Sequence, residues 1–193
     1  MIDNKKVVGV VGMPGSGKRI VDEVAQKLRF LAVVMGDVVR EETARRGLKA
    51  TPNNVGAVML KMREEGGGGV IARRCIAKIA KYEKRWVLIE GIRSLDEVIE
   101  FRRSYSYFIL LSIHSSPETR YKRLFERKRS DDGSSRRIFM ERDTRELRVG
   151  IGSAIALADH MIINEGELGQ FKKEVRGFLT TVLKERASAF TER

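Results

Sequence analysis

The sequence predicts an α/β domain of three layers, a five-stranded parallel sheet with helices on both faces. Two patterns predict it: short apolar runs alternate with longer segments of helical spacing, and a glycine-rich turn follows the first run directly. The runs lie at 6–11, 30–35, 86–90, 107–113 and 160–164, each with the length and β-branched content of a strand. Helical spacing fills 18–29, 38–47, 53–65, 70–83, 95–103, 117–128, 136–148 and 167–185. Strands separated by helices pair in parallel through right-handed crossovers, so the alternation itself implies the three layers.

Helix starts carry their own signals. Thr51 precedes Pro52, Ser116 precedes Pro117, and Ser94 stands three residues before Glu97, the capping-box spacing. The four glycines at 66–69 interrupt one helical pattern before the next begins and read as a flexible joint. A chain of 193 residues suits one domain, large enough to bury roughly 70% of the surface its unfolded form exposes. The longest apolar runs, 107–111 and 86–89, are far shorter than the roughly 18 residues of a membrane span. The N-terminus enters a strand pattern without a secretory leader, so the expected location is the cytoplasm, away from membranes. A single cysteine, Cys75, lies near Ile76 and Ile79 and reads as a buried packing residue. His114 and His160 lie in or beside strands without metal-ligand companions, which favours packing roles.

The strongest chemical signal is Gly12-Met13-Pro14-Gly15-Ser16-Gly17-Lys18, placed between an apolar strand and an amphipathic helix. Glycines there let backbone N–H groups turn inward around phosphate oxygens, Lys18 adds a mobile positive charge, and the helix start adds its dipole. This is a P-loop, and the sheet is therefore expected to be of the P-loop nucleoside triphosphate hydrolase type. One position departs from the motif. The Ser or Thr whose hydroxyl binds Mg²⁺ is replaced by Arg19, and Ile20 follows, so a hydroxyl shifted by one place is missing too. Arg19 has two readings, an added charge at the phosphates or a solvent-facing side chain.

The loop resembles that of adenylate kinases and their relatives, which also carry Pro before the second glycine. Met35-Gly36-Asp37-Val38-Val39-Arg40 resembles their Gly-Asp-x-x-Arg segment, and Glu90-Gly91-Ile92-Arg93 resembles their Asp-Gly-x-Pro-Arg segment. The segment from Ala158 to Gly166, ADHMIINEG, is similar to the last strand and turn of dephospho-CoA kinases. The chain is thus identified as similar to archaeal P-loop proteins related to adenylate kinase or dephospho-CoA kinase, over nearly its whole length. The resemblance implies one kinase-like domain over 1–193 with an acceptor-binding insertion at about 36–70 and a lid at about 120–148. It implies that Gly36, Asp37, Arg40, Gly91 and Arg93 hold the acceptor phosphate and that Glu90 holds a Mg²⁺ water. Arg123, Arg127, Arg142 and Arg145 become the lid arginines that work with Lys18 on the transferring group. Met35 stands where adenylate kinases have a hydroxyl, and Ile92 replaces their proline, so AMP is only one candidate acceptor.

The residue chemistry agrees with these expectations independently. Phosphoryl transfer brings two polyanions into line, so guanidinium groups are needed at both. Arg40 and Arg93 follow the ends of strands two and three, beside the loop, where open α/β sheets bind ligands. Glu90 reads equally as a structural carboxylate, and Asp37 as a helix cap; for a hydroxyl acceptor, Asp37 would be the candidate base. The chain has 38 Lys and Arg against 26 Asp and Glu, a net charge of +12, which favours polyanionic partners. Its basic residues are scattered without interleaved aromatics, so nucleic acid is permitted but not favoured. The expected function is a kinase using ATP and Mg²⁺ on a small phosphorylated acceptor. The competing reading is a nucleotide-dependent regulator or RNA-associated ATPase.

Overall fold

The computed structural model describes residues 5–127 and 135–184, the side chains of Pro52 and Arg127 apart. Five parallel strands form one sheet: β1 (Lys6–Val11), β2 (Leu31–Val34), β3 (Trp86–Ile92), β4 (Tyr107–His114) and β5 (His160–Ile163), in the order β2-β3-β1-β4-β5. The helices are α1 (Lys18–Lys27), α2 (Met35–Arg45), α3 (Pro52–Gly66), α4 (Val70–Ile79), α5 (Leu95–Ser104), α6 (Pro117–Arg127), α7 (Arg136–Val149), α8 (Ile151–Ala156) and α9 (Leu168–Lys184). Every residue of the central strand β1 is buried, because helices cover both faces. On one face Val7, Val11, Leu110 and Ile89 pack with α2, α3, α4, α5 and α8. On the other, Val8, Val10 and Leu111 pack with Val21 and Val24 of α1 and with Phe171, Val175 and Leu179 of α9.

Among the described residues, all five strands and eight of the nine helices overlap the segments that the sequence pattern gives them. Thr51 Oγ1 and Ser94 Oγ accept from the backbone N–H of Asn54 and Glu97, so both caps are formed. Cys75 is fully buried in the sheet-covering layer, and burial pushes its thiol up to about 12.

Three differences have physical causes. β3 runs on to Ile92 through a bulge: Val10 pairs with Glu90 and Val11 with Ile92, leaving Gly91 as the extra residue at φ +100°. α2 starts at Met35, three residues earlier than the pattern indicates, so Asp37 lies inside its first turn rather than capping it. The short α8 was not expected. Gly150, at φ +108°, ends α7 and opens α8 at once, and the six residues that follow carry Gly and Ser, too little for a periodic signal. The break at 66–69 is present; Gly67 turns the chain at φ +77° with open space around it, while the next two glycines serve close approach. A Cβ on Gly68 would stand 1.8 Å from Asp96 Oδ2, and one on Gly69 2.5 Å from Glu100 Cγ, both on α5.

Candidate functional site

The loop between β1 and α1 is shaped by its glycines and fastened from below. Gly15 and Gly17 have φ +84° and +106°, which L side chains rarely adopt. A Cβ on Gly17 would also lie 2.3 Å from Asn164 Nδ2. That amide donates to Ser16 O at 2.8 Å, and Ser115 Oγ donates to Asn164 O at 2.6 Å. Arg120, 3% exposed, ties three elements together: it donates to Pro14 O at 3.1 Å, to Ser115 O at 3.2 Å, and to both oxygens of Asp143 on α7 at 2.8 and 2.5 Å. Arg123 donates to Ser115 Oγ at 3.0 Å and to Asn164 Oδ1 at 3.3 Å. Met13 packs against the core and Ser16 is fully buried, so these two shape the loop from behind.

Lys18 Nζ donates to Gly12 O at 2.5 Å and Met13 O at 3.1 Å, across the mouth of its own loop. Burial pushes its pKa down to about 8, partly opposed by the Glu90 carboxylate. Glu90 in turn sits above the usual carboxylate range because of burial, with Lys18 pulling it back. Arg19 extends outward, its side chain 66% exposed and 3.4 Å from Glu23, at the rim of the cavity above the loop.

That cavity, about 520 Å³, is bounded by the loop residues Gly12, Pro14, Gly15, Gly17 and Lys18, by Asp22 and Glu90, and by Arg123. A second cavity of about 670 Å³ opens beside it, with Met35, Val39, Val55, Met59, Leu60 and Ile71 as apolar lining. The two share Gly36, Arg40, Gly91, Arg93, Arg142 and Glu146. Gly36 lies under the Arg40 guanidinium, where a Cβ would come within 3.3 Å of Nη1. Arg40 Nη2 donates to Asp37 Oδ1 at 2.5 Å. Arg93 Nη1 donates to both carboxylate oxygens of Glu146, at 2.6 and 2.8 Å, joining the end of β3 to α7. Behind the second cavity, Arg63 donates to Glu97 Oε1 at 2.6 Å; Glu97 is fully buried and also accepts from the Arg93 backbone N–H at 2.7 Å.

The arginines expected from sequence divide accordingly. Arg40, Arg93 and Arg142 reach the shared wall, Arg123 the loop cavity alone, and Arg145 the second cavity and the outer face of α7. The side chain of Arg127 and residues 128–134 of the expected lid lie outside the described residues. Asp37 lines neither cavity, and its carboxylate is taken by Arg40, so it does not stand as a base over either space. Arg120, Asp143, Glu146, Asp22 and Asn164 were not singled out from sequence. Asn164 lay within the segment similar to dephospho-CoA kinases, and Arg120 opened the basic stretch, but only the fold shows that both reach the loop.

Comparison with known proteins bears on the family and the fold. A family model described as an AAA domain matches residues 11–138. A UPF0200 protein of Methanocaldococcus jannaschii is 45% identical over 179 residues, covering 92% of this chain and 90% of that protein. Among solved structures, a shikimate kinase from Bacteroides thetaiotaomicron superposes with a TM-score of 0.62 at 14% identity, over 92% of this chain and 98% of that one. A gluconokinase from Sinorhizobium meliloti is similar as well, with a TM-score of 0.55 at 12% identity, over 93% of each chain. These two establish the fold as that of P-loop kinases.

Proposed function

The chain belongs to the UPF0200 family of archaeal proteins and carries the P-loop fold of its AAA-domain model, and on that basis we propose that it is a small-molecule kinase. In this reading it transfers the γ-phosphate of ATP to a nucleoside monophosphate or related phosphorylated acceptor. The observation that carries it is the shared wall. Two cavities, one over the phosphate loop and one with an apolar lining, meet at Arg40, Arg93 and Arg142. Guanidinium groups at such a junction can hold the acceptor phosphate and neutralise charge on the transferring group at the same time.

The donor triphosphate would lie on the backbone N–H groups of 12–18, with Lys18 leaving the Gly12 and Met13 carbonyls for the β- and γ-phosphates. An apolar acceptor moiety would fill the space between Met35, Val39 and Met59, its phosphate facing Arg40 and Arg93. An acceptor phosphate oxygen then attacks the γ-phosphorus, the bond to the β-γ bridging oxygen breaks, and ADP departs. That acceptor oxygen is anionic at neutral pH, so no base is required, consistent with Asp37 being held by Arg40. A hydroxyl at the position of Arg19 is lacking, but the loop cavity offers the carboxylates of Glu90 and Asp22, and Asp22 Oδ1 is buried with no hydrogen-bond partner among the described residues. Those two carboxylates would hold a Mg²⁺ ion, directly or through water, and the ion would supply positive charge to offset that of the triphosphate.

Phosphorus NMR tests the reading. The chain is incubated with Mg-ATP, pooled nucleoside monophosphates and dephospho-CoA. New diphosphate resonances at the expense of ATP are expected. Release of free phosphate alone would replace the kinase by an ATPase, and a 3′-phosphate product would move the acceptor from a phosphate to a hydroxyl.

A further inference from the structure

The P-loop here has a deficit and, one helical turn away, a surplus. The deficit is at position 19, where a metal-binding hydroxyl is replaced by an arginine that lies at the rim and pairs with Glu23. The surplus is at Asp22. It stands four residues after Lys18 on α1, hence on the same face of that helix, and it lines the loop cavity. Its Oδ2 accepts from Gln26 Nε2 at 3.2 Å, but its Oδ1 is buried and has no hydrogen-bond partner among the described protein groups. A buried carboxylate oxygen without a donor is costly, and α1 would be more stable with an apolar side chain there. Glu90, at the end of β3, lines the same cavity, so the two carboxylates border one space.

We propose that Asp22, together with Glu90, orients the hydration shell of the divalent cation that accompanies the nucleotide, replacing the hydroxyl absent at position 19. The inference rests on the kinase reading above. Mg²⁺ bound to nucleotide phosphates keeps several waters and needs only one or two protein carboxylates, directly or through water. A closed set of three side-chain ligands is therefore unnecessary, and among the described residues there is none. Asp22 acts here as a positioning residue: it holds metal-bound water while the phosphates provide the direct ligands.

The test uses Mn²⁺ as probe. Free Mn²⁺ is followed by its paramagnetic resonance signal during titration into the full chain saturated with a non-hydrolysable ATP analogue. Analogue affinity is measured separately in EDTA. Asp22→Asn should weaken Mn²⁺ in the ternary complex by roughly ten- to a hundredfold, as loss of an outer-shell partner does, while metal-free analogue affinity is not reduced. Adding Arg19→Ser to Asp22→Asn should recover much of the Mn²⁺ affinity by restoring the usual hydroxyl, and Glu23→Gln should leave it unchanged. Should Asp22→Asn fail to fold, Asp22→Ser carries the same comparison. Unchanged Mn²⁺ affinity in the Asp22 variant overturns the inference, as does an equal loss of analogue affinity without metal, which would mark a structural role. If the unaltered chain binds no analogue in either condition, the kinase reading itself falls, and this inference with it.

Discussion

Around the loop cavity the contacts are made mainly by backbone, with Gly15 and Gly17 in left-handed conformations and the carbonyls of Gly12, Met13, Pro14 and Ser16 each holding a side chain. The second cavity is framed instead by charged pairs between distant segments, Arg63 with Glu97 and Arg93 with Glu146, around an apolar lining. The contrast suits what each would bind in the proposed kinase. A phosphate chain is the same in every nucleotide, and a fixed backbone cradle recognises it without reorganising. An acceptor would have to enter, be gripped and leave, and ion pairs that can exchange partners at the shared wall would allow this. Arg120 is the exception that joins the two designs: a fully engaged guanidinium reaching from the loop carbonyl of Pro14 to Asp143 on α7.

Breaking that join should have the largest effect. Arg120→Met leaves Asp143 and the Pro14 and Ser115 carbonyls without their donor in a buried setting, and losing one partner of such a pair costs about 3–5 kcal/mol. For a chain of this length that lowers the melting temperature by about 10 °C, measurable by thermal unfolding without nucleotide. Combining Arg120→Met with Asp143→Leu should recover part of the loss, since the uncompensated carboxylate is gone. A single variant as stable as the parent would mean that the loop does not depend on α7.

A smaller change sharpens the contrast at the shared wall. In the proposed reading an acceptor phosphate competes with Glu146 for Arg93 Nη1, which now donates to both oxygens of that carboxylate. Glu146→Gln keeps the shape but removes the charge, and with a half-exposed arginine the released competition is about 1 kcal/mol. The expected result in steady-state kinetics is an acceptor KM lower by about fivefold with kcat little changed. A raised KM would show that Glu146 positions Arg93 rather than competing for it.

The same contrast explains what could be read from the sequence. Local chemistry was legible: the glycine spacing and Lys18 located the loop, and Gly36 with Arg40 and Gly91 with Arg93 pointed to residues that do meet at one wall. Strand β1 was legible to the residue because four valines within six residues, running straight into the glycine-rich turn, have few alternatives. What could not be read are the partnerships across the fold. Nothing near Arg120 announces Asp143, nor does anything near Arg93 announce Glu146 53 residues later, because each pair depends on where α7 lands. Asp37 illustrates the converse: its sequence neighbourhood suits a cap or a ligand, and an earlier helix start together with Arg40 assigns it to neither. The bulge at Gly91 was equally hidden, since only the register with β1 reveals the additional residue.

The subtlest expected effect lies in the loop itself and turns on a sign. With its pKa lowered to about 8 by burial, Lys18 in the free protein begins to lose its proton in mildly alkaline solution, whereas the unfolded chain keeps it to about 10.4. Between those values the unfolded state binds more protons, so this residue makes the nucleotide-free fold more stable as pH rises. Phosphates brought against the ammonium reverse the shift, so binding takes up a proton and affinity must fall over the same window. From pH 7 to 8.5 the loss is about fourfold. Calorimetry at pH 8.5 in buffers of different ionisation enthalpy should detect the proton taken up, and Lys18→Met should show neither that uptake nor the Lys18 share of the stability gain. Affinity and stability moving in opposite directions would identify a lysine buried against its own carbonyls until phosphate draws it out; parallel movement would place the charge fully in water before the nucleotide arrives.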